Sequence, residues 1–458
     1  MKGHLAHFHR KARPGQLSRR ELIRRASITG LSVAAATPSL SRVADAATTE
    51  NKGAQASPTG AVTISLLDRS TSPKYDSYAK WLVDTFNHQH QGSIHVALNM
   101  IPDADYHQKV SLVLKGDNPP DVFFSWEGGW AKFMVDSGFS APLDEYYQKY
   151  QWPHKLNAAA LQLATFGGHQ WFVPFYMAAS VVWYNIDLFQ KYNLEVPKTW
   201  PQLTHVAEVL KSHGVAPFLL ADQLQWEAQF LWTAYFVNKY GVQAYEDLLA
   251  HKIAWTDPRV VDTFAEMKRM ATKGWFLNGI NSMDFDSTAI IFWKRQQAAM
   301  WYQGSFILAK FLSPDDKLLY PVDWFPFPQI GSMEASIEMF AENTWMINKK
   351  SAHKAQAAEL LDFLISREAQ ARMVDEVGPF PANRFVTLTS LPPMVQRLGS
   401  TIAEHHGYTW MHVDHALGPA IAHPFLVELQ GVLAGTVTPE AAAKRTEEAA
   451  KATGAGGQ

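Results

Sequence analysis

A chain of 458 residues is too long for one compact core, so we expect at least two lobes. With 47 % apolar and 18 % charged residues the composition is that of a globular protein, and disorder is excluded. The net charge of −2 gives no strong field for nucleic acid or an anionic membrane, and the absence of cysteine excludes disulfides, thiolate metal sites and lipidated cysteine.

The first element along the chain is a targeting segment. Ser18 to Ile23 carries the paired Arg19 and Arg20 of a twin-arginine signal, and a weakly apolar stretch from Ala26 to Ala36 follows. Ala44 to Ala46 matches the small-x-small cleavage rule. We therefore predict a signal peptide over 1–46 and a flexible leader over 47–60, with a basic disordered tail as the alternative. Export without a lipid anchor is expected, because a lipobox needs cysteine.

Strands and helices alternate after the leader. Predicted strands cover Ala61–Leu67, Ile94–Met100 and Val122–Phe124. One predicted helix has its apolar face at Tyr75, Tyr78, Leu82 and Phe86, and a second covers about Tyr106–Leu114. This order is typical of an α/β fold with parallel strands.

The middle of the chain is mainly helical. Helices are predicted from the cap Thr199 with Gln202 (apolar face Leu203, Val206, Leu210), from Asp257-Pro258 (Val260, Phe264, Met267 inward) and from Ser351 as a cap (Leu360, Leu361, Leu364). Strands are predicted over Gln297–Trp301 and Val322–Phe327.

Two predicted loops follow parallel strands and should face one crevice. They are Asp68–Ser70 and Trp126-Glu127, and ligands of open α/β sheets bind beyond the carboxyl ends of strands. We expect Trp126 to be exposed there because it lines a cleft, while Gly128-Gly129 let the backbone turn tightly beside it.

Five segments in order resemble the sugar-binding extracellular solute-binding proteins of ABC importers, the maltose/oligosaccharide-binding protein-like family. They are Asp117–Gly138, Pro174-Phe175-Tyr176 with Val182–Phe189, Pro197–Trp200, Ala298–Phe306 and Val377–Asn383. The resemblance implies a type II, two-lobed periplasmic-binding-protein-like α/β fold, with the ligand cleft between lobes joined by a multi-crossing hinge. The lobes would comprise 61–175 with 334–380, and 176–330 with 385–450, before a disordered tail over 451–458.

The resemblance also implies a binding protein rather than an enzyme. A pyranose presents an apolar face that stacks on aromatic rings and a hydroxyl rim that needs carboxylates and amides. The candidate ligand-binding residues are Trp126, Glu127, Tyr176, Trp226, Phe306, Asp68, Arg69, Trp345 and Trp410. Trp301, at alternating strand positions, is expected in the core.

The expected partners are a carbohydrate and an ABC permease pair with its ATPase. We expect no nucleic acid, no cofactor and a monomer. The hinge is placed near Pro174–Ser180, because Ala178-Ala179-Ser180 are small and Pro174 fixes one side.

Two other classes of function stay open. His405-His406 and His412-x-Asp414-His415 place metal-ligand types close together, so a metal-binding site is an alternative to a helix cap and a solvated loop. A receptor for a metal or a polyamine on the same scaffold is the alternative to a sugar receptor. A glycoside hydrolase or lyase would need two facing carboxylates, for which Glu127 with Asp284 or Asp286 are the candidates.

Overall fold

The computed structural model describes residues 60–313, 317–333, 337–377, 380–404 and 410–453. The predicted signal peptide, the leader before Gly60 and the pair His405-His406 lie outside these residues.

The strands of the described residues are β1 (Val62–Ser70), β2 (Ile94–Pro102), β3 (Val122–Ser125), β4 (Thr165–Phe166), β5 (His169–Gln170), β6 (Val173–Asn185), β7 (Ala216–Phe218), β8 (Ala298–Gly304), β9 (Val322–Phe325), β10 (Glu338–Ile347) and β11 (Phe380–Pro381). The longest of them are β6 and β10, followed by β1 and β2.

The α-helices up to the middle of the chain are α1 (Pro73–Gln89), α2 (Asp103–Lys115), α3 (Gly128–Asp136), α4 (Asp144–Lys149), α5 (Trp152–Lys155), α6 (Ala158–Ala164), α7 (Ile186–Lys191), α8 (Trp200–Ser212), α9 (Ala228–Tyr240), α10 (Val242–Leu249) and α11 (Pro258–Thr272). Those that follow are α12 (Ile290–Lys294), α13 (Leu308–Phe311), α14 (Lys354–Leu364), α15 (Arg367–Val377), α16 (Pro393–Ala403), α17 (Val413–Ala416), α18 (Pro419–Leu433) and α19 (Pro439–Ala452). Short 3₁₀ turns cover Ile280–Ser282 and Ser305–Ile307, and a π turn covers Phe285–Ala289.

One mixed sheet runs through the described part of the chain in the order β2-β1-β3-β10-β6-β8-β7. The strands β1, β2 and β3 are parallel, as the alternation of strands and helices predicts. Strands β6 and β10 run antiparallel to each other and join this part of the sheet to β8 and β7. Strand β6 also pairs with β9 and β11. The long strand β6 is therefore the central connection of the sheet.

Alternating side chains of β6 are buried in two different hydrophobic clusters. Ala179, Val181 and Trp183 belong to one cluster, and Ala178 and Val182 belong to the other. Successive residues of a strand point to opposite faces of the sheet, so each cluster lies on one face. Burial on both faces explains why β6 is an almost unbroken apolar run with no exposed residue.

Local sequence signals placed most of these elements correctly. Helix α8 begins with the predicted capping box, in which the Thr199 hydroxyl accepts from Gln202 N and the Gln202 amide oxygen accepts from Thr199 N at 3.1 Å. The prediction of Ser351 as a helix cap is wrong, because α14 starts at Lys354 and its N-cap is His353. The Ser351 hydroxyl accepts from the backbone N–H of His353 rather than from a residue of the helix. The predicted tail from 451 also starts too early, since α19 continues to Ala452.

None of the helices in the described residues is both long enough and apolar enough to cross a membrane.

Candidate ligand-binding site

Trp126 follows β3, as predicted, but the ring is buried with only 4 % of its surface exposed. It stacks on His107 with ring centroids 3.8 Å apart and planes 7° from parallel, and it meets Tyr106, Phe124 and Trp130 at 4.8–5.8 Å. The prediction of an exposed Trp126 is therefore wrong for this structure. The covering residues come from α2 and α3, which the short sequence stretch around Trp126 does not reveal.

Gly128 and Gly129 are needed for a close approach of another segment. The segment Trp410–Gly418, called here the histidine segment, contains α17 and packs against the start of α3. A Cβ on Gly128 would lie 2.2 Å from the His415 carbonyl oxygen, and one on Gly129 would lie 2.4 Å from the Leu417 carbonyl carbon. Gly128 also has φ +62°, which favours glycine. The two glycines thus admit backbone from a distant part of the chain.

Two buried glutamates face two histidines of this segment. His415 Nδ1 lies 3.1 Å from Glu127 Oε1, and His412 Nδ1 lies 2.6 Å from Glu338 Oε1. Both glutamates are fully buried, and the backbone N–H of His412 also donates to Glu338 at 2.7 Å. The imidazoles themselves are 4.0 Å apart between centroids. The histidine segment is thereby fixed both to the end of β3 and to the start of β10.

Burial and charge set the protonation of this group. Burial raises the pKa of Glu127 to about 8. Burial would lower the pKa of His412, but the carboxylates of Glu338 and Asp414 outweigh it and raise that pKa to about 9. Burial lowers the pKa of His107 to about 4. Neutral His107 and charged His412 therefore coexist near neutral pH.

Trp226 and Phe306, both predicted ligand-binding residues, are brought together by the fold. Their ring centroids are 6.0 Å apart, and Phe285 joins them at 5.0 Å from Trp226 and 6.1 Å from Phe306. All three rings are partly exposed. We call these three residues the aromatic trio.

Further rings connect the aromatic trio to the buried glutamates and histidines. Phe230 lies 5.8 Å from Trp226 and 4.1 Å from His412 between ring centroids, and Phe340 lies 6.5 Å from Phe306 and 5.3 Å from His412. The aromatic and the ionisable parts of the candidate site are therefore contiguous.

The sheet register sets the polar part of the site beside the trio. Ser180 of β6 pairs with Glu338 on one side and with Gly304 on the other, and Phe306 follows two residues after Gly304. A Cβ on Gly304 would lie 2.3 Å from the Phe306 ring, so glycine lets this ring fold over the strand end.

Several buried polar atoms around this crossing make no hydrogen bond within the described residues. They are Glu127 Oε2, Glu338 Oε2, Ser180 Oγ, Gln303 Nε2, Glu227 Oε1, Asp222 Oδ2 and Gln229 Nε2. A buried polar group without a partner costs about 1–3 kcal/mol, so each of these atoms calls for a ligand or a water.

Asp68 and Arg69 lie inside β1, which continues to Ser70, so their predicted loop position is wrong. Both are buried, and they belong to a polar network in which Tyr75 donates to Asp68 at 3.0 Å and Arg69 donates to Asn343 at 2.6 Å. Burial raises the pKa of Asp68 to about 7. The Arg69 guanidinium lies 5.3 Å from the Trp126 ring, so this network adjoins the site.

The remaining predicted aromatic residues are all buried. Tyr176 lies in β6 opposite Asn343, and Trp345 lies within β10 opposite Val173 rather than at a strand end. Trp410 is 1 % exposed and opens the histidine segment. Trp301 is in the core as predicted, where its indole N–H donates to Glu227 at 3.1 Å.

The structure gives no support to the carboxylate pairs considered for glycoside hydrolysis. Asp284 caps the π turn by accepting from Ser287 N, and Asp286 pairs with Lys310 at 2.9 Å. Glu127 instead faces His415.

Sequence reasoning missed Glu338, Phe230, Phe285, Phe340 and His107. Glu338, the first residue of β10, has a polar type on a strand that is otherwise largely apolar, and this contrast is the signal that could have identified it. The four rings had no local signal, since aromatic residues are common in cores.

Comparisons with known proteins identify the family and the fold. The family described as bacterial extracellular solute-binding protein matches residues 70–371. A Pyrococcus horikoshii protein described as an uncharacterized ABC transporter extracellular-binding protein is 25 % identical over 347 residues, which are 74 % of this chain and 74 % of that one. The alpha-glucosides-binding periplasmic protein of Rhizobium meliloti is 24 % identical over 306 residues, 62 % of this chain and 66 % of its own.

Solved structures show the same fold. A chitin oligosaccharide binding protein superposes with a TM-score of 0.78 at 21 % identity, covering 86 % of this chain and 100 % of that one. The fold is that of the type II, two-lobed binding proteins, which confirms the predicted fold class. The chain belongs to the family of bacterial extracellular solute-binding proteins, the class that serves ABC transporters.

Proposed function

We propose that this chain is an extracytoplasmic carbohydrate receptor that delivers its ligand, most simply an oligosaccharide, to the permease pair and ATPase of an ABC importer. The family supports the transport role. The observation that carries the choice of ligand is the partly exposed aromatic trio beside buried carboxylates that still have acceptor oxygens without partners. The alpha-glucoside specificity of the Rhizobium meliloti relative supports the same class of ligand.

The aromatic trio supplies the apolar half of a sugar site. Trp226, Phe285 and Phe306 are partly exposed, and the C–H face of a pyranose covers an aromatic ring without leaving a polar group unpaired.

The polar half of the site comes from Glu127, Glu338 and the neighbouring amides. Each glutamate uses Oε1 for a histidine, and its buried Oε2, which makes no hydrogen bond with a described residue, is the atom proposed to bond a sugar hydroxyl. The amide nitrogens of Gln229 and Gln303 add donors. A hydroxyl that donates to a carboxylate and accepts from an amide is satisfied on both counts.

Lobe movement on binding is part of the proposal. The pairing of β6 with β10 is irregular around Asn343, opposite Tyr176, which is inside the predicted hinge Pro174–Ser180. Irregular pairing weakens the ladder locally and favours bending there. Sugar binding is expected to reduce the radius of gyration and to change tryptophan fluorescence with one midpoint. Tight binding that leaves the scattering curve unaltered would contradict this movement.

A thermal-shift screen with mono- to tetrasaccharides, run beside polyamines and divalent cations, tests the ligand class. We expect a sugar to raise the melting temperature most. Trp226→Ala should lower the affinity for that sugar about tenfold or more, since a loss of about 1.4 kcal/mol of burial free energy corresponds to a tenfold change in the dissociation constant. Phe385→Ala is the matched control, because Phe385 is 55 % exposed and lies outside the site. A largest shift from a polyamine would favour the other receptor class.

The chain acts by binding rather than catalysis in this proposal. Oligosaccharides incubated with it should be recovered intact by chromatography, and released shorter sugars would contradict the proposal.

Export by the twin-arginine route and action as a monomer complete the proposal. Arg19 and Arg20 support this route because the paired arginines precede a weakly apolar stretch.

A further inference from the structure

The histidine segment Trp410–Gly418 brings three metal-ligand types together. His412, Asp414 and His415 each offer a ligand atom, and these atoms all lie within 4.8 Å of one another. Two imidazoles and one carboxylate form a ligand set typical of zinc and related divalent transition metals.

The spacing of two of these atoms already suits a common metal ion. His412 Nε2 and Asp414 Oδ1 form an ion pair at 3.2 Å, and Asp414 Oδ1 makes no aligned hydrogen bond with a described residue. A bound ion would take the place of the Nε2 proton, which is released to solvent. Two ligands at about 2.0–2.1 Å from a tetrahedral zinc ion are separated by about 3.4 Å. The pair therefore needs only a small adjustment to bind one ion.

The two buried glutamates stand where outer carboxylates orient metal-binding histidines. Glu338 faces Nδ1 of His412 and Glu127 faces Nδ1 of His415. In such carboxylate–histidine–metal arrangements one ring nitrogen donates to the carboxylate and the other binds the ion. The histidine segment thus supplies the metal ligands, while Glu338 of β10 and Glu127 after β3 supply the carboxylates that orient the two imidazoles.

The charge of the group also favours a cation. Glu127, Glu338 and Asp414 place three carboxyl groups against His412 and His415. A divalent cation would stabilise the ionised carboxylates at this depth, where solvent cannot.

We infer that His412, Asp414 and His415 bind a divalent transition metal ion of the zinc class, with Glu338 and Glu127 as positioning residues. The ion holds the histidine segment against α3 and β10. The position of Asp414 is supported further by Gln229, whose side-chain oxygen accepts from Asp414 N at 2.9 Å. This inference does not depend on carbohydrate binding, because the metal alone is the probe.

Calorimetric titration of the metal-stripped chain with Zn²⁺ tests the inference, together with titration by Co²⁺ followed in the visible spectrum. We expect the wild-type chain to bind one more equivalent of Zn²⁺ than Asp414→Asn or His415→Gln does, or to bind Zn²⁺ with an affinity at least about tenfold higher. Tetrahedral Co²⁺ bands should be lost in both variants. Comparison with wild type removes the contribution of other histidines, including His4, His7 and His9 of the predicted signal peptide.

His169→Asn is the matched control, since His169 pairs with Asp144 at 3.1 Å on the surface. It should bind Zn²⁺ as the wild type does. Circular dichroism of each variant establishes that it is folded. Asp414→Asn preserves the shape of a partly exposed side chain, so its metal affinity can be measured even where His415→Gln fails to fold. Equal stoichiometry and affinity in the wild type, in folded Asp414→Asn and in the control would overturn the inference.

Discussion

Substituting Gly128 by alanine tests whether the histidine segment packs against the start of α3. The new Cβ would lie 2.2 Å from the His415 carbonyl oxygen and 2.9 Å from Met411 Sδ. Heavy atoms cannot remain at 2.2 Å, so the segment or the helix must shift. Overpacking of this kind costs about 1–3 kcal/mol, and the φ of +62° adds about 1 kcal/mol for a residue with a Cβ.

Gly138→Ala is the control, because Gly138 follows the same helix with φ +73° and has no atom within 4 Å of its expected Cβ. Both variants carry similar backbone strain, so the difference between their free energies of unfolding isolates the contact. Urea unfolding followed by fluorescence should show Gly128→Ala less stable than Gly138→Ala by about 1–3 kcal/mol. Equal losses in the two variants would refute the packing.

Three other predictions concern burial, pH and export. Trp126→Ala should lower the free energy of unfolding by about 3–5 kcal/mol, because the ring is 4 % exposed and packs among four other rings. An unchanged midpoint of urea unfolding would instead mean that the Trp126 ring lies in an open cleft. Burial raises the pKa of Asp222 to about 7 from an ordinary 3.8, so the unfolded chain binds fewer protons and stability falls as pH rises from about 4 to 7. Asp222→Asn should therefore gain stability relative to wild type over that range, by at most about 4 kcal/mol, and parallel pH profiles of urea unfolding would contradict this. Changing Arg19 and Arg20 together to lysine should leave precursor in the cytoplasm on immunoblots, whereas normal secretion would exclude the twin-arginine route.

Local patterns predicted the elements that depend on local physics. The apolar spacing of Tyr75, Tyr78, Leu82 and Phe86 gave α1, and Thr199 with Gln202 gave the start of α8, because helix faces and caps involve residues at most a few positions apart.

The candidate site could be predicted only in part, because its contacts connect distant parts of the chain. Trp226 and Phe306 follow turn-forming residues, and both remain partly exposed. The burial of Trp126 could not be foreseen, since it depends on His107 from α2. The partners of Glu127 and Glu338 also lie far off, at 288 and 74 residues along the chain, and no periodicity of a short window encodes such pairs.

Calorimetric titration with the oligosaccharide that gives the largest thermal shift tests carbohydrate binding most directly. The proposal predicts saturable binding of one sugar per chain, with affinity reduced about tenfold or more in Trp226→Ala and unchanged in Phe385→Ala. Absence of saturable heat with every mono- to tetrasaccharide, or equal affinity in Trp226→Ala and the wild type, would contradict it.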